Sequence, residues 1–199
     1  MVSLYIDDPA ADDVRPTKDI DISLKIANLS ELEALRESLV QRGFSQSHED
    51  TAVCRFRYDD IKVDVMATKA IGWAPGDPWF AAGFEHSQSI DIDGVTIKIL
   101  SLPYFLATKF SAFYDRGGND PRISNDFEDI VYLLNHTSNI KAQIVQSEKD
   151  VQRFLKEGFL KIIANNSLQE AILVHLFYQD QDVHFEKIMN QLKEIVSVI

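Results

Sequence analysis

Between Lys18 and Ile26 the chain alternates, with Ile20, Ile22, Leu24 and Ile26 on one side and Asp19, Asp21, Ser23 and Lys25 on the other. A two-residue period is the mark of a β-strand with one face on a core. It places Asp19 and Asp21 on the same face, about 6 to 7 Å apart along the strand. A second strand-like run, Ile61 to Met66, offers Lys62, Asp64 and Met66 on one face and Ile61, Val63 and Val65 on the other. If the two strands are neighbours, three carboxylates share a small volume and repel one another unless cations neutralise them. Hard divalent ions such as magnesium take oxygen ligands of this kind. The alternative for an isolated Asp-x-Asp is an amphipathic strand with its acids in water.

Around these strands the first half of the chain reads as a small mixed sheet. Asn28 or Ser30 can cap a helix running to about Arg42, with Leu32, Leu35, Leu39 and Val40 at helical spacing and Gly43 as its stop. Residues 52–58 and 61–66 form strands around Tyr58-Asp59-Asp60, and a second hairpin turns at Asp93-Gly94. Ala67 to His86 reads as a long loop holding both tryptophans, Trp73 and Trp79, which either pin the loop to the body or offer a base a stacking surface. From about residue 101 the patterns turn helical and stay so to the end. The expected fold class is therefore α+β, with a sheet-bearing region over 1–100 and a helical region over 101–199.

Composition sets limits on function. At 199 residues and 45% hydrophobic the chain can bury a core. There is no run of about 18 or more apolar residues and no basic start with a cleavable apolar core, so a cytoplasmic protein without membrane spans is expected. The single cysteine, Cys54, excludes an internal disulfide and reads as a core thiol. A net charge of -11 repels polyanions over the surface as a whole, leaving a local basic cleft as the route to nucleic acid. His175, among apolar neighbours, reads as a packing residue, and the remaining histidines lack metal spacing.

In the helical half, Phe105, Lys109, Ala112 and Arg116 follow one another at spacings of four, three and four and share a helix side. Gly117 and Gly118 end this helix. Asn125 then opens another, on which Asp126 and Asp129 share a face. Acids at a helix start also favour the positive end of its dipole, which is the simpler reading for that pair alone. Arg116 has two readings, a partner for Asp126 or Asp129 across the helix junction and a phosphate contact.

Taken in order, these segments resemble the nucleotidyltransferase superfamily, and within it the abortive-infection branch of AbiEii-like type IV toxins. The resemblance rests on Arg15-Pro16-Thr17-Lys18-Asp19-Ile20-Asp21-Ile22, on Val63-Asp64-Val65, on Leu102 to Arg116 and on Asn125-Asp126-Phe127-Glu128-Asp129-Ile130, and covers residues 1 to about 136. It implies that Asp19, Asp21 and Asp64 hold magnesium, as a two-metal site, and with it a nucleoside triphosphate. It further implies a Thr17 hydroxyl at the phosphates with Lys18 beside it, and Lys109 and Asp126 as catalytic residues, with Arg116 and Asp129 on the nucleotide side. The family pattern carries a Gly-Gly or Gly-Ser turn before the paired acids. Here no glycine precedes Gly43, and Met1 to Tyr5 looks like the tail of the helix that follows such a turn.

The activity implied is transfer of a nucleotidyl group from a nucleoside triphosphate to RNA, often tRNA, or to a protein, by the toxin of a toxin-antitoxin or phage-defence pair with a cognate antitoxin. Two alternatives stand beside it. One is the same chemistry on a small antibiotic-type molecule, to which an acidic surface is suited if the acceptor is cationic. The other is a catalytically silent protein that keeps the fold and binds a partner.

Overall fold

A computed structural model describes residues 2–17, 19–117 and 120–199, so the readings on Met1, Lys18 and Gly118 lie outside the described residues. The architecture is α+β, as expected. The chain groups into two compact units, Arg15–His86 and a second made of Val2–Val14 with Ser87–Ile199.

The first unit is built on a three-stranded sheet. Strand β1 (Asp19–Leu24) lies parallel to β3 (Ile61–Ala67), and β2 (Arg55–Tyr58) pairs with the other side of β3 in antiparallel fashion. Between β1 and β2 runs helix α1 (Leu29–Gln41). Its start is a reciprocal cap: Asn28 Oδ1 accepts from the Glu31 N–H at 3.0 Å, while the Glu31 carboxylate accepts from the Ala27 N–H at 2.9 Å. Gly43, at φ +93°, then turns the chain in a conformation that favours glycine.

The apolar side of this sheet fills toward the strand C-termini. Ala67 and Leu24 pack with Ile26, Leu32, Ala74, Leu35, Ile71 and Trp73, and Val63, Val65 and Phe56 are buried. Ile20, expected on that same side, is 45% exposed. β1 is an edge strand whose N-terminal end projects beyond this packing. Cys54 is buried, as expected of a core thiol, and burial pushes its pKa up. The expected loop from Ala67 to His86 instead contains a helix, α2 (Pro78–Glu85). Asp77 caps it, accepting from the Trp79 N–H at 2.8 Å, and Pro78 takes the first-turn position where its missing N–H costs nothing. Trp73 does pin the preceding segment, edge-on to Phe56 and donating to Glu33 at 2.9 Å.

The second unit opens with the hairpin of β4 (Gln88–Ile92) and β5 (Val95–Ile99). Its turn residues Asp93 and Gly94 both have positive φ, 53° and 81°, as a two-residue turn matched to strand twist requires. Helix α3 (Leu102–Ala112) follows, burying Leu102, Tyr104, Phe105, Leu106, Ala107 and Phe110 among others. It runs into a π-helical turn, Phe113–Gly117. Around it lie α4 (Asn125–His136), α5 (Ile140–Gln146) and α6 (Lys149–Ala164), with α7 (Asn166–Val174) and α8 (Gln181–Val198) completing the bundle. No described helix is long and apolar enough to cross a membrane.

The segment Val2–Val14 is tied to this bundle by polar contacts. The Thr137 hydroxyl donates to the Tyr5 carbonyl at 3.2 Å, and the Asp7 carboxylate accepts from the Ser138 N–H and hydroxyl at 2.8 and 2.6 Å. Asp8 meets His136 Nδ1 at 3.1 Å, His136 Nε2 meets the Asn135 amide nitrogen at 2.9 Å, and Asn135 Oδ1 meets His184 Nδ1 at 2.8 Å. The chain is consistent if Asn135 donates to Nε2 and the His136 proton sits on Nδ1.

The Ser138 hydroxyl and N–H hold Asp7 below its usual carboxylate range, and the contacts to His136 and the Ala10 N–H do the same for Asp8. A depressed folded-state pKa stabilises the protein above the unfolded value, about 3.9, and that contribution is lost as pH falls through the folded value. The Asp7→Asn, Asp8→Asn double variant should therefore melt below the wild type at pH 7. The gap should close as the pH drops below about 4, checked by thermal melts across pH.

Candidate functional site: a carboxylate face and a lysine-acid pair

The parallel register of β1 on β3 sets Asp19 beside Lys62, Asp21 beside Asp64 and Ser23 beside Met66. These residues share a face opposite Val63 and Val65, so Asp19, Asp21 and Asp64 come to the same side of the sheet, as their alternation predicts. Antiparallel pairing then places Arg55 directly opposite Asp64. The Arg55 guanidinium holds Asp64 in a two-point bond, Nε to Oδ1 at 2.7 Å and Nη2 to Oδ2 at 2.6 Å, and the same Nη2 reaches Asp19 Oδ2 at 2.9 Å. One side chain from β2 thus spans all three strands. Hydrogen bonding to Asp64, the largest cause, together with the nearby carboxylates raises the Arg55 pKa further above its already high value.

Arg55 is absent from the site expected on sequence grounds, although its position could be counted. With Asp59-Asp60 as a two-residue turn, Tyr58 meets Ile61 and, three steps back, Arg55 meets Asp64. The next residue on that face of β2, Arg57, is engaged by Asp50 at 2.8 and 2.9 Å. Thr17 is exposed, just ahead of β1. Among the described residues, no three His, Cys, Asp or Glu side chains are drawn together closely enough to hold a metal ion.

In the second unit, Lys109 on α3 places Nζ 2.5 Å from Asp129 Oδ2 and 3.8 Å from Asp126 Oδ1, both on the first turns of α4. Ser124 starts α4 by accepting from the Phe127 N–H at 3.3 Å, which sets Asp126 and Asp129 on one face toward α3. The Lys109 stem lies against Phe105, whose ring centroid is 5.4 Å from Nζ, and Phe105 in turn stacks on Tyr5 at 4.4 Å. Arg116, carried by the π-helical turn, bonds Asp126 at 3.2 and 3.3 Å while 73% exposed, the helix-junction pairing among its two readings. Tyr114 lies in the same turn; Lys161 Nζ, from α6, is 4.3 Å from its ring centroid, and burial pushes the Tyr114 hydroxyl up to about 12. His175 is a satisfied packing residue: Nε2 lies 2.8 Å from the Pro121 carbonyl and the ring rests against Phe127.

A carboxylate face on a parallel strand pair, followed in the chain by a lysine helix and an acid-bearing helix, is the order of motifs read from the sequence. Residues 3–194 match the family described as "Nucleotidyl transferase AbiEii toxin, Type IV TA system". This chain belongs to the AbiEii family. No curated protein and no solved structure matches the chain. Membership makes the fold one of nucleotidyltransferase toxins of type IV toxin-antitoxin systems. The match also runs through the helical tail of the AbiEii chain, well past residue 136, where the sequence resemblance stops.

Lys109 and Arg116, the cations that meet Asp126, differ in burial, and that decides their energetic weight. Lys109 and Asp129 are 19% and 10% exposed at their side chains. Removing the lysine charge leaves carboxylates in a largely dry site, a change that typically costs about 3–5 kcal/mol. Arg116 is solvent-screened, and such pairs contribute about 0–1 kcal/mol. Chemical denaturation should show Lys109→Met strongly destabilised and Arg116→Ala within about 1 kcal/mol of wild type. Equal losses for the two variants would contradict this reading.

Proposed function

We propose that the chain is a magnesium-dependent nucleotidyltransferase that moves a nucleotidyl group from a nucleoside triphosphate to RNA, with tRNA among the candidates, or to protein. In this reading it is the cytoplasmic toxin of a toxin-antitoxin or phage-defence pair and has a cognate antitoxin. The observation that carries the reading is the shared face of Asp19, Asp21 and Asp64, two of whose carboxylates converge on one point. That point already accommodates a cation, the Arg55 guanidinium. The donors are hard oxygens of the kind magnesium takes, so the residues suit the ion in chemistry, although the three carboxylates are not drawn together closely enough to form a ready metal cluster.

Asp19, Asp21 and Asp64 would hold the metal, which when bound neutralises phosphate charge and lowers the barrier to in-line attack at the α-phosphorus. The attacking atom is an acceptor oxygen, a phosphorus–oxygen bond forms to it, and the bond to the pyrophosphate leaving group breaks. In this reading Lys109 balances charge that builds on the phosphates, with the acids Asp126 and Asp129 fixing its ammonium. The Thr17 hydroxyl and Lys18 serve the phosphates, and Arg116 is a further phosphate ligand once it leaves Asp126.

A second reading has a specific support. The net charge of -11 favours a cationic small molecule over a long polyanion as acceptor.

The test is label transfer from each of the four α-labelled nucleoside triphosphates to total tRNA, to total protein and to an aminoglycoside panel. Wild type with magnesium should label one acceptor class, and Asp64→Ala should lower the rate by at least about 100-fold. Undiminished labelling by Asp64→Ala would sink the site assignment. No labelling of any acceptor, together with melting curves unmoved by magnesium and nucleotide, would instead favour the silent interaction protein.

A further inference from the structure

We propose that the corner where α7 turns into α8 is a docking surface for a basic protein segment whose lysine or arginine side chains flank aliphatic ones. Among the described residues, the two most exposed large apolar side chains are Tyr178, at 91%, and Ile123, at 81%. Both lie at this corner, and Val174, Phe177 and Val183 are exposed along the same reversal of the chain. The corner is stitched by two long-range contacts. The Gln181 amide donates to the Leu173 carbonyl across the reversal, and His175 Nε2 lies 2.8 Å from the Pro121 carbonyl, which holds the short turn Pro121–Ile123 against it. Single exposed apolar residues are common on folded proteins, whereas five gathered at one corner mark an interaction site. None of the five is among the residues assigned to nucleotide, metal or transfer.

Charge decides the occupant. From Asn166 to Glu186 the chain carries four acids, Glu170, Asp180, Asp182 and Glu186, and no lysine or arginine. Arg122, in the neighbouring turn, is engaged by Asp120 at 2.9 and 3.0 Å. A second copy would bring these acids against their own kind, on chains that each carry a net charge of -11, and like charges facing one another suppress such a pairing. An anionic membrane or a nucleic acid meets the same repulsion. A basic segment gains twice, because its cations pair with the acids and also rest on the open faces of Phe177 and Tyr178, whose rings attract positive charge. Its aliphatic side chains cover Ile123, Val174 and Val183. Tyrosine suits the centre of such a contact, since a large rigid ring buries area at little cost in side-chain freedom. Salt screens the ion pairs and leaves the apolar contact in place, so affinity falls with ionic strength without vanishing.

The test uses the full chain and a defined probe, a helical peptide of leucine and lysine patterned with one apolar face, with binding followed by calorimetry and by amide chemical shifts. Two control peptides are compared: one of the same composition scrambled to lose the apolar face, and one with glutamate in place of lysine. Wild type should bind the patterned peptide more tightly than either control, with its largest shifts between Leu173 and Val183 and at Ile123. The double variant Phe177→Ser, Tyr178→Ser and, separately, Asp180→Asn, Asp182→Asn should each weaken binding about tenfold or more. All four side chains are exposed, so both variants should melt close to the wild type. Equal affinity in variants and wild type, or shifts spread over other acidic faces, would overturn the proposal in favour of general attraction to an anionic chain. No binding of the patterned peptide would overturn the basic chemistry of the partner. A wild-type dimer in sedimentation, lost in the Phe177→Ser, Tyr178→Ser variant, would overturn the proposal by giving the corner to a second copy.

Discussion

The parallel register of β1 on β3 is the constraint on which the carboxylate face depends. A shift of one residue would turn Asp64 toward the buried side of the sheet and expose Val63, Val65 and Ala67. Burying an unpaired carboxylate costs several kcal/mol, and exposing three core side chains adds to that. The hydrophobic side of the strand therefore decides where the acids go. The first unit needs no separate device to aim Asp21 at Asp64, because packing of the aliphatic residues fixes their position. What packing cannot do is neutralise the acids it gathers, and Arg55 supplies that from the remaining strand.

The second unit reaches a comparable result by other means. Lys109 sits on α3, a helix buried along much of its length, so its backbone has little freedom. Its stem lies on Phe105, itself stacked on Tyr5 from the N-terminal segment. The acids it meets are fixed by the cap of α4, where Ser124 sets the first turn and hence the direction of Asp126 and Asp129. The π-helical turn after α3 changes the direction of the last side chains of the helix, and Arg116 meets Asp126 from there while largely in water. Positioning by packing, caps and a helix irregularity is local physics, which is why the order of the motifs along the chain survives as a signal.

Local physics was also what the sequence made legible. Alternation gave the acid strand and the face of Asp64, turn chemistry gave both hairpins, and capping gave the ends of α1. Where the reading fell short, the cause was long-range or overlooked. Helix α2 was read as loop because two tryptophans and a proline-glycine run obscured Asp77-Pro78, a cap followed by a first-turn proline. Ile20 was assigned to the covered side because periodicity reports a face and not how far along the strand the core extends. The contacts of Asp7 and Asp8 join residues 131 and 128 positions apart, and no pattern near residue 8 announces them. The position of Arg55 follows from the count that the turn fixes, but arginine in a strand is most often a solvated side chain, so its type alone carries no signal.

The pairing of cations with acids also bears on what the protein can approach. Arg55 is held by Asp64 and Asp19, Arg57 by Asp50, Lys109 by Asp129, Arg116 by Asp126 and Arg122 by Asp120. A phosphate backbone must therefore take each of these cations from a carboxylate, and the chain as a whole carries a net charge of -11. Affinity for long polyanions comes mainly from neutralising many phosphates with free cations and releasing their counter-ions. That source is weak here. Recognition of RNA by this surface would have to rest on few phosphates, at an end or a splayed nucleotide, where base contacts replace charge. The same pairing of cations with acids thus sets a charge penalty on any polyanionic ligand.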